Sequence, residues 1–173
     1  MNASNENNSE CYLRDLPEDV LAEIGETGGV WVGRYRVIDA QTLELKREFK
    51  SRQTSRRVGD LWEERIEYLY TDEPPVEKVF QARMGPGGSH IYDRTQIVSG
   101  RSEKTSQGQV VFPYVWANGD EGIEVLEVQN YLTGTLRTRV WQRFRDKKLY
   151  ELVIVEEEKI ARQDGDDGGE MNV

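Results

Sequence analysis

The chain has 173 residues, enough for one domain with a real core. Its 32 acidic and 23 basic side chains leave a formal net charge of −9, which excludes a general binder of nucleic acid or anionic membranes, since both need a basic surface. One cysteine (Cys11) and one histidine (His90) exclude an internal disulfide and every multi-histidine or cysteine-rich metal site, so no metal is expected.

Residues 1–12 are polar and acidic, which predicts a disordered tail rather than a secretory signal. No apolar run approaches about 20 residues, so no membrane span is expected. A cytoplasmic compartment, or a plastid stroma, fits this pattern. A short helix should follow the tail. Asp15 can cap it, Glu18 completes a capping box, and Pro17 suits the first turn. Leu16, Val20, Leu21 and Ile24 form one apolar stripe, and Gly25 ends the helix.

From Val30 the pattern becomes that of strands. Residues 30–38 are β-branched and aromatic. In 42–50, Leu43, Leu45 and Phe49 alternate with charged residues, and Arg47 interrupts the apolar face. Lys46, Lys50, Arg52, Arg56 and Arg57 join Arg47 in a basic stretch that reads as a solvated strand face and hairpin. In 61–70, Trp62, Glu64, Ile66, Tyr68 and Tyr70 share a face. Further strands are expected at 76–84, 90–98, 109–117, 123–132, 135–144 and 148–158, with Pro113 marking an edge, a bulge or a bend. Ser99-Gly100-Arg101, Asn118 to Gly122 and Asp146-Lys147-Lys148 are turn signals. From Glu156 the chain turns acidic, and 163–173 is expected to be unstructured.

About nine strands in a meander with short connections predict an all-β, antiparallel up-and-down barrel over 13–162, which hides the edges such a meander would expose. An open sandwich of the same strands is the alternative. Such a barrel can hold a small ligand. Arg47 and Glu64 then fall on inward faces of neighbouring strands, where they either pair with each other or turn to a ligand. Arg would bind a carboxylate, and Glu would accept from N–H groups. Trp62, Tyr68, Trp116, Tyr131 and Trp141 offer flat faces for a conjugated ligand or for core packing. No nucleophile stands beside a base, and His90 on its Gly-rich loop reads as an ordinary loop histidine.

Two motifs carry a family resemblance. Gly29-Val30-Trp31 matches the Gly-x-Trp that opens the first strand of lipocalins and related calycins. The resemblance implies that Trp31 closes the barrel floor beneath an arginine from a late strand, and Arg137, Arg139 and Arg143 are the candidates. Leu136-Arg137-Thr138, with the preceding stretch Gly122 to Asn130, resembles the late strands of the S-type phycobiliprotein lyases. That resemblance implies handling of a linear tetrapyrrole such as phycocyanobilin, with a phycobiliprotein subunit as partner. Asn130-Tyr131-Leu132 departs from the family's more acidic, Trp-bearing stretch. A non-enzymatic carrier of another small hydrophobic ligand, and an assembly or interaction factor with a filled barrel, are the alternatives.

Overall fold

A computed structural model describes residues 28–85, 89–92, 97–116 and 122–161. The helix expected at 15–25, both terminal tails and Cys11 lie outside the described residues. The described residues form eleven strands: β1 (Gly29–Asp39), β2 (Leu45–Val58), β3 (Leu61–Leu69), β4 (Val76–Met84), β5 (His90–Tyr92), β6 (Ile97–Arg101), β7 (Glu103–Lys104), β8 (Val110–Trp116), β9 (Glu124–Tyr131), β10 (Leu136–Arg145) and β11 (Lys148–Ala161). All pairings are antiparallel. Neighbours in sequence pair in order except β6 and β7; β1 also pairs with β11, and β6 pairs with β8. Ten strands therefore close into a ring, and β7 is a short addition on the edge of β8. The sandwich alternative is excluded by this closure.

Alternation builds the core. In β3, Trp62, Ile66 and Tyr68 are buried while Arg65 and Leu69 are exposed. The rings interlock near the barrel axis. Tyr35 stacks on Phe49 at 5.2 Å and meets Tyr68 and Trp141 edge to face at 5.6 and 5.5 Å. Such pairs add to simple burial because each positive ring edge meets a negative ring face.

Four local expectations are corrected. Leu43 and Leu45 do not face inward: both are exposed. Leu43 sits in the hairpin turn with φ of 61°, and the pairing skips Lys46, so Val37 faces Arg47 while Ile38 faces Leu45. This bulge reverses the side-chain parity ahead of Arg47. Second, β2 extends beyond the alternating stretch 42–50, to Val58. Its inward residues there are Ser51, Gln53 and Ser55, all buried. Third, the strand expected at 90–98 is two short strands, and Ser99 to Arg101 belong to β6 rather than to a turn. Fourth, β11 runs past the expected end at 158 to Ala161, and the acidic run from Glu156 lies within it, with Glu157 buried.

Pro113 lies where β8 changes partner, between Val110 and Val111 facing β7 and Tyr114 facing β6. A residue without an N–H costs nothing at that break. The last hairpin turn is Asp146-Lys147, both at positive φ, the geometry that matches strand twist.

The barrel has a closed end and a mouth. At the closed end Trp31, Ser55, Trp62 and His90 are all buried. Arg137 supplies the cation above the Trp31 ring, 4.3 Å from its centre, with Lys159 at 5.0 Å and the edge of Tyr131 at 6.3 Å. Of the three arginines considered, Arg137 is the one that takes this place. Gly33 makes room beside it: a Cβ there would lie 2.6 Å from Glu157 Cγ and 3.1 Å from Ser51 Oγ.

Two substitutions test this floor. Trp31→Ala should destabilise the protein by about 3–5 kcal/mol, the usual cost of emptying a buried aromatic site. Gly33→Ala should cost about 1–3 kcal/mol through overpacking against Glu157 and Ser51. Urea denaturation measures both, and parental stability in the Trp31 variant would contradict the closing role.

Candidate functional site

The polar interior begins on β10, whose inward residues are Arg137, Arg139, Trp141 and Arg143. Arg137 Nε donates to Glu157. Arg139 Nε donates to Glu127 at 2.6 Å, and its Nη1 donates to Gln53 at 2.9 Å and to the Tyr35 hydroxyl at 3.4 Å. Arg139 Nη1 also lies 3.6 Å from Glu157. Two arginines and two glutamates thus form one buried ladder. Burial alone would push the Glu157 carboxyl up, but Arg137 and Arg139 hold it below the usual range. Burial likewise opposes charge on both arginines, and Glu157 and Glu127 respectively keep them firmly protonated. Burial pushes the Tyr131 hydroxyl up to about 12, against the pull of Arg137.

Around the barrel axis, Glu64, Tyr68, Tyr92, Tyr114, Trp116, Glu127, Arg139 and Trp141 help enclose a space of about 20 Å³. That is room for a single water-sized group. The interior is therefore filled rather than cup-like. Glu64 accepts from Trp62 Nε1 at 3.1 Å and from the Tyr92 hydroxyl at 3.2 Å.

Arg47 and Glu64 do not pair. Glu64 is level with Ser55, eight positions along β2 from Arg47, or about 26 Å along the strand at ~3.3 Å per residue. Arg47 lies at the mouth. Its guanidinium stands 3.9 Å from the centre of the Tyr70 ring and 5.7 Å from that of Phe49, and Nη2 donates to Glu73 at 2.9 Å. Both partners of this ion pair are largely exposed, 43% and 59%. Across the mouth Arg143 Nη1 donates to Glu151 at 2.6 Å. Lys46 lies 3.7 Å from both Glu151 and Asp39.

The candidate aromatics separate accordingly. Trp62, stacked on His90 at 5.2 Å, and Tyr131 belong to the closed end. Tyr68 and Trp141 join Phe49 and Tyr70 beneath the mouth. Trp116 packs on Phe80 and Tyr114, with the Lys78 ammonium 5.1 Å from its ring centre. Sequence reasoning missed Phe49, Tyr70, Glu73 and Glu151 at the mouth, and Gln53, Glu127 and Glu157 inside.

A larger concavity, about 580 Å³, lies on the outer face between β5, β6, β8, β9 and β10, where Ile91, Pro113, Val115, Leu126 and Phe144 give it an apolar lining. Gly100 permits the closure beside it, because a Cβ there would lie 2.6 Å from Tyr114 Cβ and 2.7 Å from the Phe112 ring. Among the described residues no group of three or more His, Cys, Asp or Glu side chains is arranged to hold a metal ion, and no helix is long and apolar enough to cross a membrane.

No protein-family model matches the chain, and no curated protein is similar to it in sequence. Solved structures share the architecture. The S-type phycobiliprotein lyase CPES from Guillardia theta superposes with a TM-score of 0.62 at 10% identity, over 90% of this chain and 99% of that one. The fold they share with this chain is a closed antiparallel β-barrel. A DUF3598-family protein of unknown function from Nostoc punctiforme gives 0.63 at 15% identity, over 79% of this chain. This chain spans 49% of that protein's length, about half. The M. tuberculosis protein Rv2717c gives 0.50 at 12% identity, over 85% of this chain and 100% of that one.

The buried interior makes two predictions. Arg139→Ala strands the buried Glu127 carboxylate without its cation and leaves Glu157 to Arg137 alone; it should cost about 3–5 kcal/mol, measured by urea denaturation. The second concerns pH. Burial pulls the His90 imidazole down to about 4 from an ordinary 6.5, so the unfolded chain takes up that proton first. The contribution of neutral His90 is complete above pH 6.5 and is lost as pH falls toward 4. The urea midpoint should drop across that window, and His90→Gln should flatten the slope there. An unchanged slope in the variant would remove His90 as its source.

Proposed function

We propose that this barrel binds and presents an open-chain tetrapyrrole of the phycocyanobilin type, as a chaperone-like lyase or a bilin-binding protein. The observation that carries the reading is the cluster at the mouth of the lyase-like barrel: Arg47 stacked on Tyr70 and Phe49, above Tyr68 and Trp141. A linear tetrapyrrole has carboxylate arms and a conjugated plane. Arg47 is suited to a carboxylate because its present partner, Glu73, is exposed and weakly held. The rings supply flat faces for the plane.

The pigment lies across the mouth, not in a deep cup, because the interior space is about 20 Å³. Glu64, Trp62 and Tyr131 then support the barrel rather than touch the pigment. The pigment's protein partner is an acceptor such as a phycobiliprotein subunit, and it contributes the attacking thiol. The chain works in the cytoplasm or a plastid stroma, where such acceptors are made.

A second reading is favoured by the filled interior and the apolar outer groove: an assembly or interaction factor, or a carrier that uses the groove. Mixing the protein with phycocyanobilin separates the two. The first reading expects micromolar or tighter binding with a shifted visible absorbance. Arg47→Ala should weaken it by about 1.5–3 kcal/mol, roughly 10- to 100-fold, with the melting temperature little changed. Absence of any spectral shift at tens of micromolar protein would rule out the tetrapyrrole reading and leave the second.

A further inference from the structure

Three buried donor nitrogens on the inner wall of β10 have no acceptor: Arg137 Nη2 toward the closed end, and two more nearer the mouth. Trp141 is 4% exposed, and its indole Nε1 has no hydrogen-bond partner. Two residues further toward the mouth, Arg143 Nε is likewise buried and unmatched, although Nη1 of the same guanidinium is satisfied by Glu151. A buried donor without an acceptor costs stability, so the adjacent pair nearer the mouth needs an explanation.

Their placement points to a ligand oxygen. The Trp141 ring is flanked along the strand by the guanidiniums of Arg139 and Arg143, 5.2 and 5.4 Å from its centre. Tyr35 meets it edge to face. The ring is thus held in place, and it borders the small space on the barrel axis. Arg143 follows Trp141 on the same face toward the mouth, and its side chain is 24% exposed there. Cation and indole N–H together favour a charged acceptor over a neutral one.

We propose that Trp141 Nε1 and Arg143 Nε form a carboxylate-binding pair that takes the acid arm of an arylalkyl carboxylate entering through the mouth. The arm's oxygen fills the space beside Trp141, and the ring of the ligand remains at the mouth. This deepens the tetrapyrrole reading, in which the pair receives one propionate and Arg47 the other. Its test stands apart from pigment binding.

The probe is 3-phenylpropionate, titrated into uniformly ¹⁵N-labelled protein while the assigned tryptophan indole signals are followed. The Trp141 indole proton should move downfield and saturate. The neutral analogue 3-phenylpropanol should leave it in place. Arg143→Lys keeps a cation beside Glu151 but removes the Nε–H, and should weaken the probe at least tenfold. Arg47→Ala should leave the Trp141 response intact. An unmoved Trp141 signal, an equal response to the alcohol, or parental affinity in Arg143→Lys would overturn the proposal. If 3-phenylpropionate binds in this way and phycocyanobilin gives no spectral shift, the tetrapyrrole reading falls and the carboxylate site stands.

Discussion

The buried ladder of Arg137, Arg139, Glu127 and Glu157 is the constraint on which the rest of the barrel depends. Four charges out of water are tolerable only if each is matched, because desolvation rivals the attraction between the partners. Matching them requires β9, β10 and β11 in one register, since Arg139 reaches Glu127 on one neighbour while Arg137 reaches Glu157 on the other. The contacts to Gln53 and the Tyr35 hydroxyl tie the same group to β1 and β2. A slip of one residue in any of these strands would turn a charge outward and strand its partner inside. The ladder is a poor source of net stability but a strict selector of register.

It also decides what the interior can hold. Arginine and glutamate side chains with their hydrogen-bond partners fill the half of the barrel that a simple lipid carrier would leave apolar. The aromatic set from Tyr35 to Trp141 fills most of the remainder. What is left suits one small polar group. The interior therefore has no room for the body of a ligand, only for a small polar group.

Much of the fold was legible in the sequence because alternation and turn chemistry are local signals. Gly29-Val30-Trp31 and the late arginines marked the closed end, since a tryptophan and an arginine at opposite ends of a closed sheet become neighbours. The polar interior was not legible. Ser51, Gln53 and Ser55 alternate with exposed residues just as apolar residues would, but their polarity hid the second half of β2. Glu157 was lost within Glu156-Glu157-Glu158, although it keeps the parity of Val153 and Val155. The mouth was misread for a different reason. One skipped residue near Lys46 reverses the parity of Leu45 relative to Arg47, and no local pattern announces such a bulge. Arg47 and Glu64 looked like neighbours because they lie on the inward faces of adjacent strands, whereas the antiparallel register sets them far apart.

Burial and commitment change together along β10. At the closed end each arginine has a buried glutamate of its own, and Arg137 also rests on Trp31. At the mouth Arg143 shares Glu151 with Lys46, and Arg47 holds only the exposed Glu73. Exchange of partners is cheap where the present pair is wet and shared, and costly where it is dry and exclusive. A carboxylate approaching from solvent can therefore displace or join the mouth pairs without disturbing the register that the inner ladder fixes. The same strand serves both purposes because its inward positions pass from fully buried at Arg137 to partly exposed at Arg143. In the proposed function, recognition falls at the end where the cations are least committed, so binding there does not require the core to reopen.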